Sequence, residues 1–233
     1  TYSGCLSNFD LEIYLEVLGC TDSLALNYDP SANTACASCC NYPACTAVAP
    51  YSEDFSAGTL PAGICPGGWS QSQFSGDGWR FASTAFNPAY QAQNNGRPLS
   101  SFAFVDFSST DVGVVFQVED VDISALSSPE LTFDFFSDPG TYASSLASAG
   151  PNNLFIEAYD GTAWNVVLDA TRFTSGWVSM TADLTGYDVS GVVSLRFRAE
   201  SNGSPSDYYN DLLVDDISIH EAVVAVSGCT DST

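Results

Sequence analysis

The sequence predicts an all-β chain: a jelly-roll β-sandwich preceded by a small disulfide-rich module. Short runs rich in Val, Ile, Leu, Phe and Tyr recur at roughly ten-residue spacing between turn-forming residues, and sustained helical periodicity is absent. Seven of the eight cysteines lie within the first 65 residues. A length of 233 residues with 45% hydrophobic content is enough for one substantial core and a small extra module.

We divide the chain into four segments. Residues 1–18 include an alternating run, Leu11–Val17, which is typical of a strand and is interpreted as the end of a preceding repeat. Residues 19–46 form a Cys-rich module with too little apolar surface to fold without disulfides. Residues 47–222 form the sandwich, and residues 223–233 are interpreted as a linker and the start of the next repeat.

Eight runs within the sandwich segment are predicted strands. Asp160-Gly161, which lies between two of them, is a signal for a hairpin. With shorter runs added, a total of about eight to eleven strands fits a jelly roll. The eight runs are Phe102–Phe107, Val112–Val118, Leu131–Phe136, Leu154–Tyr159, Trp164–Leu168, Trp177–Leu184, Val192–Ala199 and Leu212–Ile219.

An exact pentapeptide, Gly-Cys-Thr-Asp-Ser, occurs at Gly19–Ser23 and again at Gly228–Ser232, 209 residues later. A pentapeptide that contains Cys rarely recurs by chance. We therefore expect the chain to be one period of a longer tandem array, of the kind found in long extracellular adhesive or filamentous proteins. The alternative is a single disulfide-bonded protein with similar Cys turns at its two ends.

The charge balance is extreme, with 28 acidic and 5 basic residues and a net charge of −23. Such a chain repels a phosphate backbone, so nucleic acid is not expected as a partner. No run approaches the roughly 20 apolar residues of a membrane helix. Bound Ca²⁺ or a saline medium would relieve the self-repulsion. The alternative is an acidic surface that binds no metal.

The cysteines favour disulfides in an oxidising compartment, and hence a secreted, extracellular protein. A zinc site is the competing interpretation, because Cys36, Cys39 and Cys40 are close together. Zinc normally takes paired Cys-x-x-Cys knuckles or histidines, and the only histidine, His220, lies about 180 residues away. The disulfide candidates are Cys5, Cys20, Cys36, Cys39, Cys40, Cys45, Cys65 and Cys229.

Residues 19–33, GCTDSLALNYDPSAN, resemble a short motif of large secreted surface proteins of Bacteroidota. That motif runs GCTD, two residues, A-x-NY-[DN]-P-x-A, and ends in Asp-Gly-Ser-Cys. Here the end is replaced by Thr34–Cys40, which contains three cysteines. The resemblance implies a disulfide from Cys20 to Cys39 or Cys40, and the additional Cys36 leaves that choice open.

Residues 51–220 resemble MAM-like and cleaved-adhesin jelly rolls in four pieces that follow the family's order. The resemblance implies a domain that adheres to proteins or glycans, or a spacer in surface proteins exported by type IX secretion. Ser56 departs from the family's Glu and weakens a calcium ligand there. The matching pieces are Asp54–Gly58 with Leu60-Pro61 and Trp69; Val121–Ser124 with Ser128–Phe133; Asn153–Tyr159 with Asp160-Gly161 and Trp164; and Val192–Phe197 with Asn210–Ile219.

Two candidate binding sites follow from residue chemistry. Calcium takes six to eight oxygen ligands, and the best cluster needs the first and last strands to be neighbours, as in the resembled family. Its members are Glu53, Asp54, Asp207, Asn210, Asp211, Asp215 and Asp216; the alternative is unpaired surface acids. Sugars stack on exposed aromatic rings, for which the candidates are Trp69, Trp79, Tyr208 and Tyr209; the alternative is that these rings plug the ends of the sandwich.

Catalysis has the least support. His220 lies in the terminal strand, and the sequence has no Gly-x-Ser-x-Gly elbow. Glu130 and Asp134 share a strand face about 13 Å apart, whereas glycosidase carboxylates lie about 5–9.5 Å apart. We therefore predict that the chain is not an enzyme.

The expected function is a structural or adhesive repeat module of a giant extracellular filament or adhesin. Its partners would be copies of itself, joined through sandwich contacts and disulfide-stapled linkers, and glycans or proteins of other cell surfaces. The alternative is a calcium-dependent carbohydrate-binding module. Lateral contacts between copies are expected to use cations or pairs between carboxylates and the five arginines, Arg80, Arg97, Arg172, Arg196 and Arg198.

Overall fold

The computed structural model describes residues 16–21, 27–35, 46–65, 68–72, 78–82, 101–108 and 113–223. The chain divides into two units, Thr1–Cys45 and Thr46–Thr233. Most of the strand-like segment 1–18 and the cysteine cluster 36–45 lie outside the described residues.

In the first unit, β1 (Leu18–Gly19) pairs in parallel with β2 (Thr34–Ala35). Asp29 forms the turn between them, because its carboxylate accepts hydrogen bonds from the Ser31 N–H at 2.9 Å and the Ser31 hydroxyl at 2.6 Å. The Asp29 N–H donates to the Cys20 carbonyl at 2.9 Å. A Cβ atom at Gly19 would lie 2.9 Å from that of Ala32, so the close approach requires glycine. Local backbone geometry thus fixes Gly19 of the GCTD motif and Asp29 of the turn that follows it.

The second unit contains fourteen strands among its described residues, together with one short α-helix and two 3₁₀ helices. The strands are β3 (Ala47–Val48), β4 (Tyr51–Glu53), β5 (Ser70–Ser72), β6 (Trp79–Ala82), β7 (Phe102–Val105), β8 (Val114–Gln117), β9 (Val121–Asp122), β10 (Pro129–Phe136), β11 (Asn153–Tyr159), β12 (Trp164–Asp169), β13 (Val178–Asp183), β14 (Val192–Val193), β15 (Leu195–Glu200) and β16 (Leu212–Glu221). The helices are α1 (Ala143–Leu146) and the 3₁₀ helices Gly140–Tyr142 and Asp207–Tyr209.

Two antiparallel sheets form the sandwich. The six-stranded sheet has the order β13-β10-β16-β7-β6, with β4 also paired to β16, and the five-stranded sheet has the order β12-β11-β15-β8-β5. A small third sheet has the order β14-β9-β3. The predicted all-β sandwich is confirmed, and each of the eight predicted runs contains a strand. The Asp160-Gly161 hairpin is also confirmed, since Gly161 has φ +94° in the turn from β11 to β12.

Period-two alternation produces the core. Along β10, Leu131, Phe133 and Phe135 are fully buried among the apolar residues between the sheets. Phe116 lies at the aromatic centre of that core. It stacks on Phe197 with ring centroids 4.7 Å apart, and it contacts Trp79 edge-to-face with centroids 4.6 Å apart. The outward-facing residues of the same strands are the ones available for binding.

The connections of β16 place both ends of the sandwich chain at one pole. The start of β4 pairs with the far end of β16, Tyr51 opposite Ile219. The chain therefore enters and leaves the sandwich side by side. The start of β16 lies beside the end of β10, Leu213 opposite Phe136, at the other pole. Ten residues of β16 separate the two poles by roughly 30 Å.

Candidate functional site

Three tyrosines form a stacked group, here called the tyrosine corner, at the pole opposite the chain entry and exit. The rings of Tyr142 and Tyr209 are parallel within 9° with centroids 4.4 Å apart. Tyr208 lies against Tyr209 at 4.1 Å and is 36% exposed. A hydrogen bond to Tyr208, followed by burial, raises the pKa of Tyr209. Of this group, the sequence predicted Tyr208 and Tyr209 but not Tyr142.

A buried polar network holds the tyrosine corner in place. The Asn152 side-chain amide donates to the carbonyls of Asp207 at 2.9 Å and Asn210 at 2.7 Å. The Asn152 N–H donates to Asn210 Oδ1 at 2.8 Å, and Asn210 Nδ2 donates to Ser137 Oγ at 3.0 Å. Asn152, Asn210 and Ser137 are fully buried, so these bonds fix the 3₁₀ helix that carries the tyrosine pair.

An open groove of about 420 Å³ lies beside Tyr208. Its lining includes Ser108, Ser201, Ser204 and Asp207 as well as that ring. The groove therefore combines serine hydroxyls with an aromatic side chain, which is a composition suited to binding a small polar ligand.

Trp69 and Trp79 are core residues, and their prediction as sugar-stacking rings is wrong. They are 4% and 3% exposed. The Trp69 indole donates to the Tyr51 hydroxyl at 2.9 Å, and the Trp79 indole donates to the Val114 carbonyl at 3.1 Å. Both rings pack on Phe116. Trp79 begins β6 and Trp69 directly precedes β5, so strand geometry turns their rings inward.

The seven predicted calcium candidates are not brought together as one site. Within the described ranges, no three Asp, Glu, His or Cys side chains are grouped as a metal ion requires. Glu53 and Asp54 each accept a bond from the backbone N–H two residues ahead, at 2.7 and 2.9 Å. Asp215 accepts from the next N–H at 2.9 Å, and Asp207 accepts from a serine hydroxyl. The expected neighbouring of first and last strands does occur, since β4 pairs with β16, but these side chains serve local turns.

Asp211 has different surroundings from the other candidates. It is 4% exposed, and its Oδ1 accepts from the Phe107 N–H at 3.2 Å. Its Oδ2 is buried and has no hydrogen-bond partner among the described residues. Asp106, also buried, lies nearby and pairs with Arg80 at 3.4 Å. Burial, and then the charge of Asp106, raises the pKa of Asp211 to about 8. The Asp211 carboxyl is therefore mostly protonated at neutral pH.

Cys20 and Cys65 are each disulfide-bonded and buried. The other six disulfide candidates, Cys5, Cys36, Cys39, Cys40, Cys45 and Cys229, lie outside the described residues. Cys65 lies in a loop that Glu119 organises: this glutamate is 1% exposed and accepts from the N–H groups of Ile64 and Cys65 at 2.9 and 3.0 Å. The Glu119 site was not predicted from the sequence.

The residues considered for catalysis have structural contacts. His220 Nδ1 lies 3.3 Å from the Glu130 carbonyl oxygen. Asp134 faces Asp215 across the β10–β16 ladder. The chain's non-enzymatic character stays a prediction.

A second feature missed by the sequence prediction is an organised pair of arginines on the outer face of the five-stranded sheet. Glu157, 5% exposed, accepts from Arg196 Nε at 2.6 Å and from Arg198 Nε at 3.0 Å. The guanidinium of Arg196 lies over the Trp164 ring at 4.4 Å, and that of Arg198 over the Phe155 ring at 4.5 Å. Alternation was the available signal, because it places both arginines on one face of β15 and Glu157 opposite them on β11.

Comparison with known proteins gives only distant structural matches. No protein-family model and no curated protein sequence matches the chain. The K1 cleaved adhesin domain of Lys-gingipain from Porphyromonas gingivalis W83 aligns at 17% identity and a TM-score of 0.49, covering 74% of this chain and 98% of that domain. TmCBM61 in complex with β-1,4-galactotriose aligns at 10% identity and 0.45, covering 72% and 94%. A family 6 carbohydrate-binding module aligns at 9% and 0.40, covering 76% and 98%. These matches assign no residue or activity to this chain.

Among the described residues, no helix is long and apolar enough to cross a membrane.

The buried Asp211 carboxyl predicts a specific pH dependence. A folded pKa near 8, against an ordinary 3.8, means that the native state binds more protons between these pH values. The free energy of unfolding should therefore fall as pH rises from 5 to 8, with a contribution approaching about 1.4 kcal/mol per pH unit. Asp211→Asn should remove this contribution in urea titrations at each pH. Glu130→Gln is the control and should keep the wild-type slope; equal slopes in wild type and Asp211→Asn would refute the assignment.

Proposed function

We propose that the chain is a non-enzymatic structural and adhesive module of a large extracellular surface protein that carries it in several copies. The recurrence of Gly-Cys-Thr-Asp-Ser at residues 19 and 228 carries this proposal. On the resemblance of residues 19–33 to Bacteroidota surface proteins, we further propose export by type IX secretion.

The structure of the first copy of the motif supports a repeated fold rather than a chance repeat of letters. Gly19 is required by its close approach to Ala32, and Cys20 is buried and disulfide-bonded. The pentapeptide supplies only one strand of the ladder, whose other strand is β2. A second copy therefore makes structural sense only where an equivalent second strand accompanies it.

Single-molecule extension of the native surface protein tests the tandem arrangement. Pulled in reducing buffer, it should give several unfolding events of equal length, because each sandwich of residues 46–223 releases about 600 Å of chain. The isolated 233-residue chain is the matched control and should give one such event. A native protein that also gives a single event would refute the array.

A second candidate function, glycan binding, is favoured by the tyrosine corner. Tyr208 borders a groove lined with serine hydroxyls, and the pole that carries it is remote from the chain entry and exit. In a tandem protein, that pole is free to meet a partner. The protein's charge of −23 opposes anionic sugars, so the expected ligands are neutral glycans.

Substitution at Tyr208 tests this candidate. On a glycan array and by calorimetry, Tyr208→Ala should weaken binding about 5- to 150-fold, if a sugar stacks on the ring with the roughly 1–3 kcal/mol known for base–aromatic stacking. Tyr208→Phe should retain most of the affinity. Phe173→Ala, at another exposed aromatic, is the control. Wild-type binding to no glycan, or unchanged binding in Tyr208→Ala, would rule out the site.

Calcium is proposed as an ion that relieves repulsion on the acidic surface, supported by the 28 acidic against 5 basic residues. Adding 2 mM CaCl₂ to EDTA-treated chain should raise Tm by roughly 2–4 °C, the shift that about 1 kcal/mol produces in a domain of this size. NaCl at equal ionic strength is the control. An equal shift in both salts would show that calcium acts only by screening.

A further inference from the structure

We propose that the outer face of the five-stranded sheet, around Arg196, is a contact surface for a second copy of this chain. This arginine face is defined by the outward residues Phe155, Glu157, Trp164, Val166, Arg196 and Arg198. The inference rests on the proposed tandem module, and it names the surface through which the copies meet.

The guanidinium of Arg196 is positioned for an external acceptor. Its Nε is bound to Glu157 and its plane lies on Trp164. Its two Nη groups have no hydrogen-bond acceptor in the described part of the chain, although the side chain is 25% exposed. Arg198 differs, because its Nη1 is paired with Glu200. Arg196 therefore presents a rigid, two-pronged donor, which is the geometry that binds a carboxylate.

The aromatic rings on this face disfavour a sugar as the occupant. Trp164 and Phe155 are covered by guanidinium groups, so those ring faces are not available for stacking on a pyranose. The surface that remains is a guanidinium backed by an aromatic ring, next to the 47% exposed Val166. Such a surface fits a protein partner that offers a carboxylate and a small apolar area.

Charge complementarity identifies that partner as another copy. Each copy carries 28 acidic residues, so carboxylates are the commonest charged group that a neighbouring copy can offer. On the arginine face, two arginines offset Glu157 and Glu200, and the exposed Asp169 lies at its margin opposite Phe155. Approach there avoids the repulsion that a net charge of −23 imposes elsewhere.

The topology of the sandwich brings copies together in the required way. The chain enters and leaves the sandwich at one pole. Consecutive sandwiches in an array are therefore connected through this pole, and their outer sheet faces remain available for contact with each other. The covalent connection between copies raises the effective concentration of one copy at the next, so a weak contact is sufficient.

Sedimentation equilibrium of the 233-residue chain at 0.01–1 mM tests the proposal. The wild type should self-associate reversibly with a Kd of about 0.1–1 mM, and more weakly at 500 mM NaCl. Arg196→Gln should weaken association at least tenfold. Arg172→Gln, at an exposed arginine with the same change in net charge, should leave it unchanged.

Two further variants keep the test decisive. Arg196→Lys retains the charge but loses the planar fork, and should also weaken association. Val166→Ser acts at an exposed position on the same face and adds no charge opposite Glu157, so it replaces Arg196→Gln if that variant unfolds. A wild type that stays monomeric at 1 mM would overturn the proposal. So would association as strong as that of the wild type in both Arg196→Gln and Val166→Ser. If added polygalacturonate abolishes the self-association of the wild type, the occupant of the arginine face is instead an acidic glycan. Loss of the contact between arginine faces would not change the number of equal-length unfolding events in the extension experiment. The contact proposal and the tandem-array proposal can therefore fail independently.

Discussion

The fold depends on one strand, β16, which exchanges partners part-way along its length. Its first half pairs with β7 and its second half pairs with β4, while β10 lies along its other side. The exchange occurs at Asp215 and Asp216, where Asp216 adopts φ +49° and its N–H donates to the Asp215 carboxylate. Aspartate tolerates this left-handed conformation better than most residues because its side chain can bond locally. Backbone geometry thus gives the paired aspartates a structural role at this position.

This exchange of partners determines where function can be placed. Since β4 pairs only with the second half of β16, the chain enters the sandwich beside the point where it leaves. The first half of β16 is bordered by the loops that carry the tyrosine corner and the Asn152–Asn210 network. The two poles have different roles as a consequence: one joins the module to its chain, and the other holds an ordered aromatic surface away from it.

The sequence was sufficient for the parts of the fold that depend on periodicity. Alternation over four or more residues identified the long strands, and the Asp-Gly pair identified a hairpin. Strands of two or three residues, such as β3, β5 and β9, are too short to show a period. The environments of side chains were less accessible. Trp69 and Trp79 lie among glycines and polar residues in the sequence, and only the tertiary packing against Phe116 shows that they are buried.

Buried charge was the least predictable feature, because desolvation depends on residues distant in sequence. Asp211 meets Asp106 only because β16 and β7 are adjacent, and nothing in a run of five acids and amides distinguishes it from Asp207 or Asp215. The partners of the arginines were equally hard to predict, because they too are distant in sequence. Arg80 offsets a buried aspartate, and Arg196 and Arg198 offset the buried Glu157. With three of the five positive charges engaged by interior acids, only two arginines remain to offset the other acidic residues among the 28. The proposed association between such modules would then use surfaces where acidic charge is offset, and the arginine face is a surface of that kind.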